Sequence, residues 1–288
     1  MANMSHISTN SPHAWILAAR PKTLTGAAVP VMIGISAAWA DGFFRPVPAL
    51  LCFLFAFFMQ IDANFINDYY DFRKGLDDEK RLGPKRACAE GWITLPAMRR
   101  GIICTTLLSC LTGLPLVLIG VCCVVFCFLY TTCMARLGLG DLLVLVFFGL
   151  VPVGATYYLQ SGTVVPEVWT LSLACGLVID CLLVVNNYRD RDNDKAGGKI
   201  TLVVRIGEKA AENLYLWLGI AAVGLCQTMW LSGKPVAALL PVCYLIPHAV
   251  TWRRMTGLKR GRELNGVLGE TARNIFLFGA LLSIGLFI

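Results

Sequence analysis

Asn67-Asp68-Tyr69-Tyr70-Asp71 closes a long apolar run, Leu50 to Ile66, and opens a charged segment, Phe72 to Arg100. Asn186-Asn187-Tyr188-Arg189-Asp190 does the same further on, and one offset carries both Asn67 to Asn186 and Asp71 to Asp190. Carboxylates and carboxamides at the mouth of a membrane span are costly to hold there, so such residues are candidates for function. The two stretches therefore raise the fold question and the site question together.

The 288 residues are 57% hydrophobic and 15% charged. The apolar runs recur at close to the roughly 20 residues a helix needs to cross a bilayer. The pattern predicts an all-α, polytopic membrane protein and excludes a soluble domain; alternation too weak for ~10-residue barrel strands argues against a barrel. Met1 to Ala19 lacks a basic n-region and a cleavage site, so no signal peptide is expected. Its Ser, Asn and His content predicts a flexible tail over 1–19, ahead of a single membrane domain over 20–288.

Nine transmembrane helices are expected in one bundle, at 24–41, 47–67, 97–112, 114–132, 141–160, 168–187, 210–231, 235–252 and 271–288. Positive residues favour the cytoplasmic side. With this count, all of the 25 Lys and Arg except Arg45 and Lys234 fall on the side holding the N-terminus and both acidic motifs. That side is expected to be cytoplasmic, with the C-terminus outside, in the inner membrane. The net charge of +7 then belongs to one face, where it sets topology and attracts anionic lipid. Spans two and six carry the motifs, which predicts a parallel internal repeat of four helices with a ninth left over. Duplicated helical halves commonly place a site at their interface.

Residues three, four and seven apart share a helix face. Asn64, Asn67 and Asp71 have that spacing, and so do Asn187, Asp190 and Asp194. Each span thus ends in a polar stripe of side-chain oxygens. Several like charges in a partly dry cavity repel unless a cation neutralises them. Hard oxygen donors without Cys or His point to Mg²⁺, which completes its shell with water and phosphate oxygens. The 12 cysteines mostly lie in apolar runs as small packing residues, and His6, His13 and His248 have no sequence partner.

Basic residues follow each motif: Arg73, Lys74, Lys80, Arg81, Lys85 and Arg86 after the first, Arg189, Arg191, Lys195, Lys199 and Arg205 after the second. Some are expected to clamp a diphosphate, Arg81, Lys85, Arg189 and Lys199 being the candidates, while others only set topology. Two carboxylate clusters in an apolar helical bundle suggest ionisation of an allylic diphosphate in a cavity that keeps water from the cation. A single cluster of this kind would read simply as a helix end; the matched duplicate argues against that. A transporter using the acids as ion ligands is the rival class. Against it, the acids lie at span ends and lead into basic loops.

The chain resembles the UbiA-type intramembrane prenyltransferase superfamily, and within it the 1,4-dihydroxy-2-naphthoate polyprenyltransferases of menaquinone synthesis. The likeness rests on Arg20-Pro21-Lys22-Thr23-Leu24, the first motif with Lys74-Gly75-Leu76-Asp77, Arg81-Leu82-Gly83-Pro84 and Gly154-Ala155-Thr156-Tyr157-Tyr158. It continues through the second motif to Asp194, Gly198-Lys199-Ile200-Thr201-Leu202 and Val204-Arg205-Ile206-Gly207. The resemblance implies that Asn67, Asp71, Asp190 and Asp194 bind diphosphate through Mg²⁺. It places another Asp four residues after Asp71; here that position is Gly75, and Asp77 is the expected substitute. Asp68, about 100° round the helix from Asn67, is expected to face a neighbour. Arg20 and Lys22 are expected to meet an anionic substrate or to anchor the membrane edge. The implied reaction joins a polyprenyl diphosphate to 1,4-dihydroxy-2-naphthoate with loss of CO₂ and diphosphate, giving a demethylmenaquinone. Prenylation of 4-hydroxybenzoate is the alternative acceptor chemistry. No nucleic acid and no obligatory protein partner is expected.

Overall fold

A computed structural model describes residues 7–75, 82–113 and 138–288. All regular structure among them is helical: α1 (Pro12–Ala19), α2 (Leu24–Ala40), α3 (Pro46–Arg73) and α4 (Leu95–Thr112) come first. Then follow α5 (Gly140–Ser161), α6 (Pro166–Ala196), α7 (Leu202–Ile206), α8 (Glu208–Cys226), α9 (Pro235–Leu258) and α10 (Leu264–Phe287). Proline stands in the first turn of α1, α3, α4, α6 and α9, where its missing N–H is no loss. Gly75 and Gly162 follow α3 and α5 with φ of 67° and 80°, a conformation that ends a helix at little cost only for glycine.

Six stretches are long and apolar enough to cross a membrane: Pro12–Ala40, Pro46–Arg73, Gly140–Ser161, Pro166–Ala196, Pro235–Leu258 and Leu264–Phe287. The chain is a multi-pass membrane protein. The helices α4 and α8 pack on α3 and α6 respectively. The span expected at 114–132 lies outside the described residues.

At the centre are α2 and α6, which touch each other and between them meet α3, α5, α8 and α10. Val29 and Ile33, Val153 and Tyr157, Leu171 and Val178, and Phe278 and Leu282 form the fully buried middle of the bundle. Close approach is needed where α5 meets α6. A Cβ on Gly149 would lie 2.6 Å from the Ser172 carbonyl oxygen, and one on Gly176 would lie 3.1 Å from Leu145 Cα. Small residues let membrane helices pack backbone to backbone. Here α5 also relaxes into a π-helical segment, Leu145–Leu150. The outer surface keeps large apolar side chains such as Val47, Leu107, Trp217 and Ile246 exposed, as lipid contact requires.

Residues 12–19, expected in a flexible tail, instead form α1. The Ser11 hydroxyl caps it, accepting from the Ala14 N–H. Ala14 and Ala18 are buried against α3 and the start of α4, and Trp15 meets Phe65 edge-on, ring centroids 5.3 Å apart. Docking on that apolar patch, which the sequence of the tail does not reveal, orders this stretch.

The bundle has two unlike ends. At one, Tyr157 donates to Asp41 at 2.7 Å and Lys234 pairs with Asp41 at 2.6 Å, joining the turn after α2 to the last turns of α5 and to the turn before α9. Trp39 packs edge-on against Phe44 and Phe287 there, an aromatic girdle suited to a membrane interface. Both acidic motifs lie at the other end.

Candidate active site at the charged end of the bundle

The last turns of α3 point their polar groups in two directions. The Asn64 amide donates to the Ala19 carbonyl and to Thr23 Oγ1, both at 2.9 Å, and so holds the break between α1 and α2. Arg20 sits in that break with φ of 51°, its guanidinium 3.9 Å from Asp68. Asp68 is fully buried, and its two oxygens accept from the backbone N–H groups of Ala87 and Cys88 at 2.9 and 3.0 Å. Asp68 thus faces a neighbour, and that neighbour is the turn that carries Arg86.

Held in this way, Arg86 reaches Asp71 with its Nη2 3.2 Å from Oδ2. Lys85, the residue before it, points to the surface and pairs with Glu90 at 2.7 Å. Lys85 is the clamp expected from sequence, but the contact with a motif acid is made by Arg86. Only the direction of the turn separates two adjacent basic residues, and the signal for that direction was Asp68's place off the Asn67 face. Asn67 is half-buried and Lys22 is exposed.

At the second motif Arg189 is buried and holds Asp190 with two parallel bonds, Nε to Oδ1 at 2.8 Å and Nη2 to Oδ2 at 2.5 Å. This fork geometry is the strongest arginine–carboxylate arrangement. Its remaining donors go to Asn186 Oδ1 at 2.9 Å and Asn265 Oδ1 at 2.8 Å. Asn265, in the first turn of α10, also donates its amide to the Leu82 carbonyl at 2.9 Å. It therefore ties the second motif to the loop that follows the first. Nothing in the sequence around Asn265 marked it; its role exists only once α10 is packed.

After α6 the chain turns back at Gly198, φ 71°. Lys199 N donates to the Asp194 carbonyl at 2.8 Å and its Nζ lies 3.3 Å from both Asp194 carboxylate oxygens. Asn187 is buried on the same side, facing a small pocket that Lys199 also lines. Arg191 turns the other way. It lies 4.2 Å over the Tyr188 ring and bonds Glu208 at 2.7 Å, fastening α6 to α8. That hydrogen bond holds the Glu208 carboxyl below the usual carboxylate range.

Asp71, Asp190 and Asp194 thus each have a cation, Arg86, Arg189 and Lys199 respectively. Among the described residues no three His, Cys, Asp or Glu are grouped to hold one metal ion. Asp77 and Arg81 lie outside them. The donor set is nevertheless hard oxygen throughout, carboxylate and carboxamide, which fits Mg²⁺ in chemistry. What the arrangement can do is exchange partners. A ligand bringing both negative oxygens and a hard cation can take the guanidinium and ammonium groups with the one and the carboxylates with the other.

The model of the UbiA prenyltransferase family matches residues 27–264. The chain is 38% identical to the 1,4-dihydroxy-2-naphthoate octaprenyltransferase of Escherichia coli (strain K12), covering 75% of each chain. It is 31% identical to the protein of that name in Haemophilus influenzae, covering 95% of this chain and 96% of the relative. Its fold is similar to that of a UbiA homolog from Aeropyrum pernix K1, with TM-score 0.69, 16% identity, and coverage of 90% and 96%. A UbiA homolog from Archaeoglobus fulgidus bound to DMAPP and Mg²⁺ is also similar, with TM-score 0.64, 18% identity, and coverage of 94% and 99%. At these identities the structural likeness is one of fold. The matched region runs from α2 into the first residue of α10 and takes in both acidic motifs, their basic partners and the helices that carry them: this chain belongs to the UbiA prenyltransferase family.

Proposed function

We propose that this protein transfers a polyprenyl group from its diphosphate to 1,4-dihydroxy-2-naphthoate, releasing CO₂ and diphosphate and forming a demethylmenaquinone. The observation that carries the reading is the likeness, at 31–38% identity over most of both chains, to relatives named for that acceptor. The paired charges support it. On arrival of the diphosphate, Arg86, Arg189 and Lys199 pass from their carboxylates to its oxygens. Asn67, Asp71, Asp77, Asp190 and Asp194 would then hold Mg²⁺; a UbiA homolog of similar fold is described as bound to DMAPP and Mg²⁺. The ion, when bound, supplies charge neutralisation to the departing diphosphate. Arg20, Lys22 and Arg81 are further candidates to meet an anionic substrate. The apolar bundle keeps water from the prenyl cation.

The same reading takes residues 20–288 as one catalytic unit of nine spans with a parallel internal repeat. In support, helices α2–α6 and α8–α10 fall where spans are expected, and α4 packs on α3 as α8 packs on α6. It places the motifs and N-terminus on the cytoplasmic side of the inner membrane and the C-terminus outside.

The test is purified protein with a polyprenyl diphosphate, Mg²⁺ and carboxyl-labelled 1,4-dihydroxy-2-naphthoate. One CO₂ and one diphosphate are expected per product, because the prenyl cation bonds to the ring carbon bearing the carboxylate, whose departure restores aromaticity. A product that keeps its carboxylate, or turnover with 4-hydroxybenzoate alone, would overturn the naphthoate assignment. Absence of substrate-dependent diphosphate release would favour a transporter.

A further inference from the structure

Two buried titratable groups outside the ion pairs above are settled within the bundle. Asp62 accepts from the hydroxyls of Thr105 and Thr106. His248 is stacked between Tyr215 and Tyr244 and bonded at both ring nitrogens. The end of the bundle away from the motifs is different. A cavity of about 310 Å³ lies there between the start of α9 and the end of α10, walled by Trp39, Phe287, Val236 and Lys234. That volume is at the lower end of the roughly 300–1,000 Å³ usual for small-molecule sites. Gly285 in the same wall lets α10 approach α9 backbone to backbone, since a Cβ there would lie 2.6 Å from Ala237 Cα. Gly233, with φ of 70°, turns the chain into Lys234, whose N–H donates to the Met229 carbonyl at 2.9 Å.

The polar feature of the cavity is an ion pair with capacity to spare. Lys234 Nζ donates to Asp41 Oδ1 at 2.6 Å, and Asp41 Oδ2 accepts from Tyr157 at 2.7 Å. An ammonium carries three donors and a carboxylate about four acceptor positions. Among the described residues, then, Lys234 keeps two donors and Asp41 two acceptor positions. Both side chains are partly exposed. The charge around them is balanced: the chain reversals at this end carry Asp41, Arg45, Glu167 and Lys234, two of each sign. An anion meets no net positive field here, whereas a group with one charge of each sign finds a partner for both. Trp39 and Phe287 pack edge-on, centroids 5.8 Å apart, at the depth where aromatic belts meet lipid headgroups. Each is about half exposed and offers apolar surface to the chains of a lipid.

We propose that this cavity seats the headgroup of a zwitterionic phospholipid with a primary ammonium, of the ethanolamine type. Its phosphate meets Lys234 and its ammonium meets Asp41. A quaternary choline ammonium has no N–H to donate to Asp41, and a glycerol headgroup brings no cation. The bound lipid ties α2 to α9 and α10 at the end of the bundle opposite the motifs.

The test uses the full-length protein, purified in detergent and stripped of lipid. It is titrated with dioleoyl phospholipids bearing ethanolamine, choline or glycerol headgroups, and one-to-one complexes are read by native mass spectrometry. A hydrogen bond to a charged group predicts that wild type binds the ethanolamine lipid at least about 10-fold more tightly than the other two. Lys234→Met should weaken the ethanolamine complex roughly 10- to 100-fold. Asp41→Asn leaves Lys234 without a counter-charge and should reverse the ranking, so that the anionic glycerol lipid binds best. Val236→Phe fills the cavity without touching the ion pair and should abolish the one-to-one complex. Equal binding of ethanolamine and choline lipids, or a wild-type preference for the glycerol lipid, would overturn the site. So would an unchanged complex in Lys234→Met or Val236→Phe. Should a variant fail to elute as a single folded species, the wild-type ranking decides by itself.

Discussion

Asp68 and Asp71 stand three residues apart, and their unlike surroundings give them unlike work. Asp71 meets the Arg86 guanidinium and stays partly exposed, whereas Asp68 is buried on two backbone N–H groups. Asp71→Asn and Asp190→Asn are each expected to lower turnover by about 10²–10³ while the protein still inserts and folds, since one charge-stabilising contact in a transition state is typically worth that much. The check is kcat alongside the melting temperature in detergent. Asp68→Ala should behave differently. It leaves two buried donors unmet, which costs about 1–3 kcal/mol each, so a lowered melting temperature should accompany a raised KM for prenyl diphosphate as Arg86 loses its place. The stripes Asn67/Asp71 and Asp190/Asp194 were legible because helical spacing alone puts such residues on one face. Which base meets which acid was not. Lys85 and Arg86, or Arg189 and Arg191, differ only in where a turn or a neighbouring aromatic ring sends them. Arg191 follows the second motif as Arg189 does, yet it lies over Tyr188 and bonds Glu208.

At the scale of the helix, span positions could be read because bilayer thickness dictates run length and polar groups cluster where a run ends. Two elements escaped that logic. Helix α1 is only eight residues long, too short to be stable alone, and depends on Phe65 and Met98 beneath it. The π segment in α5 arises from its fit against α6, which no period in the sequence encodes. That fit is testable. Gly149→Ala would set a Cβ 2.6 Å from the Ser172 carbonyl oxygen. Parting α5 from α6 should cost about 1–3 kcal/mol, the usual penalty for overpacking. Turnover should fall as well, because α6 carries the second motif. Gly224→Ala, in α8 with open space around it, is the control. It should hold or raise the melting temperature by a modest amount, as alanine does in a helix interior.

Over the whole molecule, charge and aromatic residues divide the bundle between its two ends, and the two turns Ser161–Thr163 and Lys259–Arg260 fall on opposite sides of that divide. Thr163 and Arg260 are both exposed. With a membrane-impermeant thiol reagent on intact cells, Thr163→Cys is expected to label above the parent protein. Arg260→Cys should label only after the membrane is opened; the reverse would invert the orientation. Cys88, although in the basic loop, is a poor probe, being buried with its N–H on Asp68.

Asn265 has a consequence at this scale. One carboxamide touches Arg189 on one side and the Leu82 carbonyl on the other, so it is a splice between the second motif and the loop that follows the first. Asn265→Ala should cut the communication between them. In wild type, substitutions of Arg86 and Arg189 would combine non-additively in a double-mutant cycle, and without the splice their effects would simply sum.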